Sequence, residues 1–406
     1  MKIVYLHQYY RTPSDLGSAG MRSYEFSNRL AAKGHTVDVV TSRMDVSAGQ
    51  GQWEVTQEAG ANVHWISVPY SNEMSSLQRI GSFLKFAVLS SFRAIKLAKN
   101  ADVIIATSTP LTIAVPAVIA SWVRRVPVVF EVRDLWPDAA IQTGFLQGAV
   151  PIWLARQLER FAYANATRII ALSPGMEAGV VSVSKKHTGQ VTMIPNCSDL
   201  DRFGVESVPH AIEAMNPFQD KFVCSYFGTL GYANDLGFMV EVAKELKRRG
   251  DEQLVLYLVG QGREREMLEL AITENELTNL VVDGPYPPAM VPEIARRSDV
   301  CLTLFRDLPV LHTCSPNKFF DSLAAGKPVL TNMTGWIAEL VEAHQCGTAI
   351  VPGDVSSFAD RLIELKNDPT LVSEMGKNAR ALAESQFSRD AMFAKFEQVL
   401  KEAAKV

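Results

Sequence analysis

The chain predicts an α/β protein built from two doubly wound domains, and three observations carry that reading. Apolar runs of strand length alternate with helical stretches along all 406 residues, the pattern of parallel strands joined by helices. The alternation restarts after a segment near 194–220 that is rich in Pro, Asn and Asp. The length also exceeds what one hydrophobic core comfortably serves.

In order, the first half offers KIVYL, TVDVVTS, ANVHWISV, ADVIIATS, VPVVFEV and ATRIIALS as strands. A helix from about Met21 to Lys33 separates the first two and stops at Gly34. The second half restarts with KFVCSYFG, QLVLYLVG, LVVDG, DVCLTLF and PVLTN. Each half opens with a strand running into a glycine loop, Gly17-Ser-Ala-Gly20 in one and Gly228-Thr-Leu-Gly231 in the other. Neither loop reads G-x-G-x-x-G, and G-x-x-x-x-G-K-[ST] is absent, which disfavours a dinucleotide fingerprint and a P-loop hydrolase. Gly260-Gln-Gly262 follows a strand and reads as a turn.

Bulk composition narrows the class. Apolar residues at 47% and charged residues at 21% describe a soluble globular chain and exclude disorder. The net charge of −4 conceals an asymmetry: 19 basic against 14 acidic side chains in residues 1–200, then 21 against 30 in residues 201–406. A difference of that kind suggests different partners for the two halves. Five scattered cysteines with no C-x-x-C pair argue against a disulfide framework or a structural zinc site. MKIVYLHQYY turns polar too soon for a secretory signal, and the Leu111–Val123 run, broken by Pro116, is shorter than the ~20 residues that cross a bilayer. A cytoplasmic location is expected, and no nucleic-acid partner.

Ser315–Val329, SPNKFFDSLAAGKPV, is the most informative stretch. Ser315 suits a helix N-cap, Pro316 the first helical position and Gly326 the C′ position. The free N–H groups of such a helix start form a ready phosphate site, and Lys318 adds a positive charge in its first turn. Asp321 lies three residues on and shares a face with Lys318, so the pair suits the diphosphate and a hydroxyl of a nucleotide sugar. The bland alternative is a solvated Lys–Asp surface pair. Context favours the first: the glycine loops, Arg133-Asp134 after PVVFEV and the Ser315 helix all fall at strand carboxyl ends, where doubly wound sheets bind ligands.

Read in order, these motifs resemble glycosyltransferase family 4. The resemblance rests on Gly34-His35-Thr36-Val37-Asp38-Val39-Val40-Thr41, on Ile194-Pro195-Asn196 followed by Asp199 and Phe203, and on Leu258-Val259-Gly260-Gln-Gly262. It continues through Asp321-Ser-Leu-Ala-Ala-Gly326-Lys327-Pro328-Val329, Gly335 with Glu339, and Phe387-Ser388 before a last helix. It implies two facing Rossmann-like domains (the GT-B fold) with an inter-domain cleft. Residues 1–195 would bind the acceptor, 196–385 the nucleotide sugar, and 386–406 would return as a helix to the first domain. It implies a retaining transferase with Gly17, Gly20, Gly231, Asn317, Lys318, Asp321 and Glu339 at the donor, Asp134 and Arg133 as catalytic residues, and no cofactor or metal. EVRDLWPD (Glu131–Asp138) resembles a bacterial subgroup of L-fucosamine-type transferases in O-antigen and lipopolysaccharide assembly. That subgroup implies a UDP-activated N-acetylated 6-deoxyhexose and a polyprenyl-diphosphate-linked acceptor.

The chain departs from the family pattern in three places. Thr313 stands where the family's first glutamate would fall and Asp321 where its second would. Val132-Arg133-Asp134 replaces a His-Asp pair, and the loop after Gly228 lacks an arginine, leaving Lys318 as the clearer phosphate cation. His7 and His312 flank expected site segments and read more readily as ordinary structure. Met74–Ala101 carries five basic residues and no acidic one, with Leu77, Ile80, Leu84, Val88 and Ile95 on one helical face and Phe83, Phe86 and Leu89 beyond it. Such a helix fits either a membrane surface or the flank of a sheet, and would make the enzyme peripheral on the inner face of the plasma membrane in the first case. Two other functions stay open: a nucleotide-sugar epimerase on the same fold, and a degenerate transferase kept as an assembly subunit.

Overall fold

The computed structural model describes residues 1–13, 21–43, 53–70, 74–184, 189–204 and 212–405. Two compact units divide the chain: the first holds Met1–Thr12, Met21–Pro195 and the residues from Met392 on, and the second holds Asn196–Ala391. The chain leaves the first unit between Pro195 and Asn196 and re-enters it at Met392.

The first unit runs β1 (Lys2–Leu6), α1 (Arg22–Ala32), β2 (Thr36–Arg43), β3 (Trp53–Glu58), β4 (Ala61–Ser67), α2 (Ser76–Leu97), β5 (Val103–Thr107) and α3 (Ala114–Arg124). It continues through β6 (Val128–Val132), α4 (Asp138–Gln142), α5 (Ala149–Asn165), β7 (Arg168–Ala171), α6 (Pro174–Val183) and β8 (Val191–Met193). Its sheet has the order β3-β4-β2-β1-β5-β6-β7-β8. All neighbours are parallel except β3 and β4. Helices cover both faces, so a central strand such as β1 is buried along Ile3–Leu6 and reads as an unbroken apolar run rather than an alternation. The antiparallel β3 is an addition to the expected strands. It is a half-exposed edge joined to β4 by Ala59 and Gly60, both at positive φ, the backbone of a tight hairpin turn.

The second unit runs β9 (Phe222–Phe227), α7 (Leu236–Arg248), β10 (Leu254–Val259), α8 (Arg265–Glu274), β11 (Leu280–Asp283), α9 (Val291–Arg297) and β12 (Val300–Thr303). Next come α10 (Asn317–Ala324), β13 (Val329–Thr331), α11 (Trp336–Ala343), β14 (Gly347–Ala349), α12 (Val355–Asn367) and α13 (Pro369–Gln386). The sheet order is β11-β10-β9-β12-β13-β14, all parallel. Both units are Rossmann-like. In each, the first strand sits mid-sheet with the next strands on opposite sides, so a switch point opens at the carboxyl ends of β1 and β5 and of β9 and β12.

The last helix, α14 (Arg389–Ala403), docks in the first unit by its apolar face. Phe396 is fully buried against Tyr5 and Phe26, with ring centroids 6.4 and 4.8 Å away. Beside it Glu397 accepts from His35 Nε2 at 2.9 Å, Lys33 Nζ at 3.0 Å and Lys401 Nζ at 2.9 Å. Burial pushes this carboxyl up, but the hydrogen bonds from His35, Lys401 and Lys33 prevail and hold it at about 2. Its folded value lies below the ordinary 4.5, so its stabilisation is full above that pH and fades as pH falls toward 2. Glu397→Gln should therefore lower unfolding free energy at neutral pH by about 1.5–3 kcal/mol, the worth of hydrogen bonds to a charged group. In denaturant titrations the difference from wild type should close between pH 4.5 and 2.

Candidate active site

The second unit holds Lys318 in a hydrogen-bonded frame built from α10 and the loop after β9. α10 begins at Asn317, one residue later than expected, with Pro316 in extended conformation before it. Ser315 does not cap this helix. Its hydroxyl accepts the Asn196 backbone N–H at 3.1 Å and its carbonyl accepts Asn196 Nδ2 at 2.5 Å, so it pins the start of the second unit to the start of α10. The helix ends as expected at Gly326, which has φ +63. Its N–H reaches Leu323 O, and the Lys327 N–H reaches Ser322 O, a Schellman stop.

Three further contacts hold the approach to α10. The Thr334 N–H donates to His312 Nδ1 at 3.1 Å, which leaves the Nε2 hydrogen to donate to Asp307 at 2.8 Å. Trp336 Nε1 donates to Cys314 O at 3.0 Å. His312 is therefore a structural strap. Thr313 turns its hydroxyl back to Val310 O at 2.7 Å.

From this rigid start Lys318 projects toward the loop after β9. Its Nζ donates to Tyr226 Oη at 2.7 Å and to Asn234 Oδ1 at 2.8 Å, and lies 4.1 Å from the centroid of the Tyr226 ring. Both partners also donate to Thr229 O, so lysine and loop share one hydrogen-bonded frame. No carboxylate pairs with this ammonium among the described residues. Burial pulls its pKa from 10.5 down to about 7.

The loop reaches Lys318 because glycines stand where side chains would block it. A Cβ on Gly228 would lie 3.3 Å from Lys318 Cε. One on Gly260 would lie 1.8 Å from Gly228 O, and one on Gly262 would lie 2.1 Å from Leu230 O. Gly260-Gln-Gly262 is thus a seat for the loop and more than a turn. Gly231 is extended and has no such steric demand beyond the Thr229 side chain.

Asp321 points elsewhere. It shares no ion pair with Lys318; its partner is Arg202, at 3.4 Å. Burial raises its pKa to about 6, with Arg202 opposing and Asp199 adding to the rise. Asn317 is half-buried in the first turn of α10, and Glu339 is exposed in the first turn of α11.

Arg306, which the sequence reading did not single out, follows β12 and braces the loop. Its Nε donates to Tyr232 O at 3.0 Å and its guanidinium lies 3.9 Å from that ring, 3.9 Å from Asp235 and 3.8 Å from Glu264. Two carboxylates lie beside its charge, whereas Lys318 has none among the described residues. A cation directly after a strand is the same signal that marked Arg133, and it would have found Arg306.

In the first unit, Arg133 and Asp134 follow β6 beside the switch point. They do not pair with each other: Thr109 Oγ1 donates to Asp134 Oδ2 at 2.8 Å and the Arg133 N–H donates to Ser108 Oγ at 3.1 Å. Burial raises the Asp134 pKa, with Thr109 and Arg133 opposing. His7, after β1, is driven well below its ordinary value by burial and then by Arg133. Its Nδ1 and both side-chain polar atoms of Gln8 are buried without a protein partner. Glu131 is structural: Arg22 Nε donates to it at 2.9 Å while the Arg22 Nη atoms hold Pro195 O and Ile194 O. Gly17 and Gly20 lie outside the described residues.

Comparison with known proteins bears on the family and the fold. A family model described as glycosyl transferase 4-like domain matches residues 17–197, and one described as glycosyl transferases group 1 matches residues 210–382. The colanic acid biosynthesis glycosyl transferase WcaI of Escherichia coli K12 is 25% identical over 332 residues, 77% of this chain and 79% of that protein. The capsular polysaccharide biosynthesis glycosyltransferase CapM of Staphylococcus aureus is 20% identical, over 89% of this chain and 95% of that protein. Among solved structures, sucrose-phosphate synthase from Thermosynechococcus elongatus superposes with TM-score 0.77 at 19% identity, over 99% of this chain and 98% of that one. Anabaena HepE in complex with UDP-glucose gives TM-score 0.71 at 18% identity, over 99% and 100%. The chain is a glycosyltransferase of the GT-B fold, carrying the family 4-like and group 1 domain pair.

The depressed Lys318 value has a measurable consequence. A lysine whose folded pKa lies below its unfolded one costs stability while charged, and the cost is relieved as pH rises from about 7 toward 10.5. Lys318→Met should raise the melting temperature most below pH 7, and the gain should shrink steadily toward pH 10.

Proposed function

We propose that this chain transfers a sugar, with retained anomeric configuration, from a UDP-linked donor to a polyprenyl-diphosphate-linked acceptor in bacterial surface-polysaccharide assembly of the O-antigen kind. The enzyme would work in the cytoplasm at the inner face of the plasma membrane. The observation that carries the reading is the half-buried Lys318 ammonium, held by neutral oxygens and paired with no carboxylate among the described residues. A diphosphate is the ligand such a group lacks. HepE, described in complex with UDP-glucose, supports a UDP donor, and WcaI and CapM, described as polysaccharide biosynthesis enzymes, support the pathway class. The resemblance of EVRDLWPD supports an N-acetylated 6-deoxyhexose such as N-acetyl-L-fucosamine.

In this reading Lys318 and the first N–H groups of α10, with Asn317, hold the diphosphate, and Gly17, Gly20 and Gly231 admit its close approach. Asp321 takes a ribose hydroxyl and Glu339 lies on the donor's sugar side. The bond from the anomeric carbon to the phosphate oxygen breaks while the acceptor oxygen bonds to that carbon on the same face. The departing phosphate oxygen takes the acceptor's proton. Asp134 orients a hydroxyl and Arg133 steadies negative charge. Lys318 and the helix start stabilise the leaving group electrostatically, so the scheme calls on no metal.

Calorimetry with a panel of UDP-, GDP- and dTDP-sugars tests this. One UDP-sugar should bind, and Lys318→Ala and Asp321→Ala, shown folded by thermal melts, should each weaken it by about 10- to 100-fold. Lys318 must be protonated and Asp321 ionised, so affinity should peak between pH 6 and 7. Lys318→Arg should remove the alkaline decline. A folded protein that binds no nucleotide sugar would sink the proposal.

A further inference from the structure

α2 carries apolar side chains on two opposite faces. The inner face buries Phe83, Phe86, Ala87 and Ala94 in the first unit's core. The outer face presents Leu77 at 81% exposure and Phe92 at 72%, with exposed Leu84 and Val88 between them. The spacing of 77, 84, 88 and 92 keeps all four on one stripe at 3.6 residues per turn. A helix that merely flanks a sheet has a polar outer face. Here it is apolar over most of a 22-residue helix.

Two neighbouring helices carry further exposed apolar side chains. α2 packs on α3, and α3 on α5. Arg124 Nε closes the first seam on Ile95 O at 2.9 Å, and Trp122 Nε1 closes the second on Asn165 Oδ1 at 3.2 Å. Arg79 lies over the Phe145 ring at 5.1 Å, tying the start of α2 to the chain that enters α5. Trp122 on α3 is 62% exposed and Trp153 on α5 is 60% exposed.

We propose that the outer faces of α2, α3 and α5 form one docking surface for a membrane rich in anionic lipid. This deepens the proposed function, resting on its lipid-linked acceptor, while its observations are independent of the Lys318 site. Charge identifies the occupant. No acidic residue lies between Glu73 and Asp102, and exposed Lys85, Lys96, Lys99, Arg124 and Arg125 belong to α2, α3 and the residues that end them. Basic side chains can reach lipid phosphates while the apolar stripe and the two tryptophans enter the headgroup–acyl boundary. A second copy of this chain would set like-charged surfaces against each other about a two-fold axis. No helix among the described residues is long and apolar enough to cross a membrane, so the contact lies in the interface plane.

The test is co-sedimentation of the full chain with phosphatidylglycerol–phosphatidylcholine vesicles and with phosphatidylcholine alone, alongside calorimetry with a UDP-sugar. Wild type should bind the anionic vesicles and show a blue-shifted tryptophan emission. The Leu84→Gln/Val88→Gln pair should cut partitioning by about tenfold or more, as loss of two inserting apolar side chains implies. Trp153→Ser should reduce it further, and donor binding should stay unchanged in both variants. Wild type left in the supernatant at low salt, or a dimer in sedimentation velocity that these variants break, would overturn the docking surface. Donor binding retained in that case leaves the transferase reading standing; vesicle binding without donor binding would do the reverse.

Discussion

A half-buried lysine ammonium given only neutral oxygen partners is the constraint around which the loop after β9 is arranged. The Tyr226 hydroxyl and the Asn234 amide orient Lys318 without neutralising it. Both are tied to Thr229 O, so the cation and the loop after β9 form a single frame. That frame needs Gly228, Gly260 and Gly262, because a Cβ at each would meet the lysine or the loop backbone. Holding a charge in this way costs stability, and the cost is visible in the depressed pKa. In the proposed function, a bound diphosphate would return it. Binding energy and folding energy are therefore linked through one side chain.

The first unit uses the opposite electrostatic solution where it needs rigidity. Arg22 and Glu131 form a fully buried pair, and the remaining Arg22 donors hold the Ile194 and Pro195 carbonyls. Every charge there is satisfied internally, which suits a scaffold. Two positions along, Arg133 and Asp134 lack that closure, and His7 and Gln8 nearby have buried atoms with no partner. Satisfied and unsatisfied polar groups thus stand close together at the carboxyl ends of β1 and β6.

How much of this could be read from the chain depended on whether the cause was local. The two doubly wound sheets were legible, because strand-length apolar runs and helices alternate throughout. The end of α10 was legible too, since Gly326 is a local stop signal. Its start was misread: Ser315 resembles an N-cap, but its hydroxyl serves Asn196, a partner 119 residues away. Tyr226 and Asn234 carried no signal because they matter only through Lys318, and Gly260-Gln-Gly262 looked like a turn because its reason is a loop approaching from β9. The Lys318–Asp321 spacing suggested one shared face, yet Asp321 turns to Arg202. On α2 the periodicity put Leu77, Ile80, Leu84, Val88 and Ile95 on one face with Phe83, Phe86 and Leu89 beyond it, and left membrane or sheet open; packing places Phe83 and Phe86 inside and leaves Leu84 and Val88 out.

Proton linkage reports whether the Lys318 cation receives the donor's diphosphate. A UDP-sugar diphosphate carries no ionisation near neutrality, so any proton taken up from the buffer on binding goes onto the protein. Calorimetric titration in buffers of different ionisation enthalpy should show uptake growing toward about one proton as pH rises from about 6.5 to 8.5, because the ligand restores the charge on a lysine whose free value is near 7. Tight binding with no proton uptake across that range would contradict the account and place the diphosphate on another group.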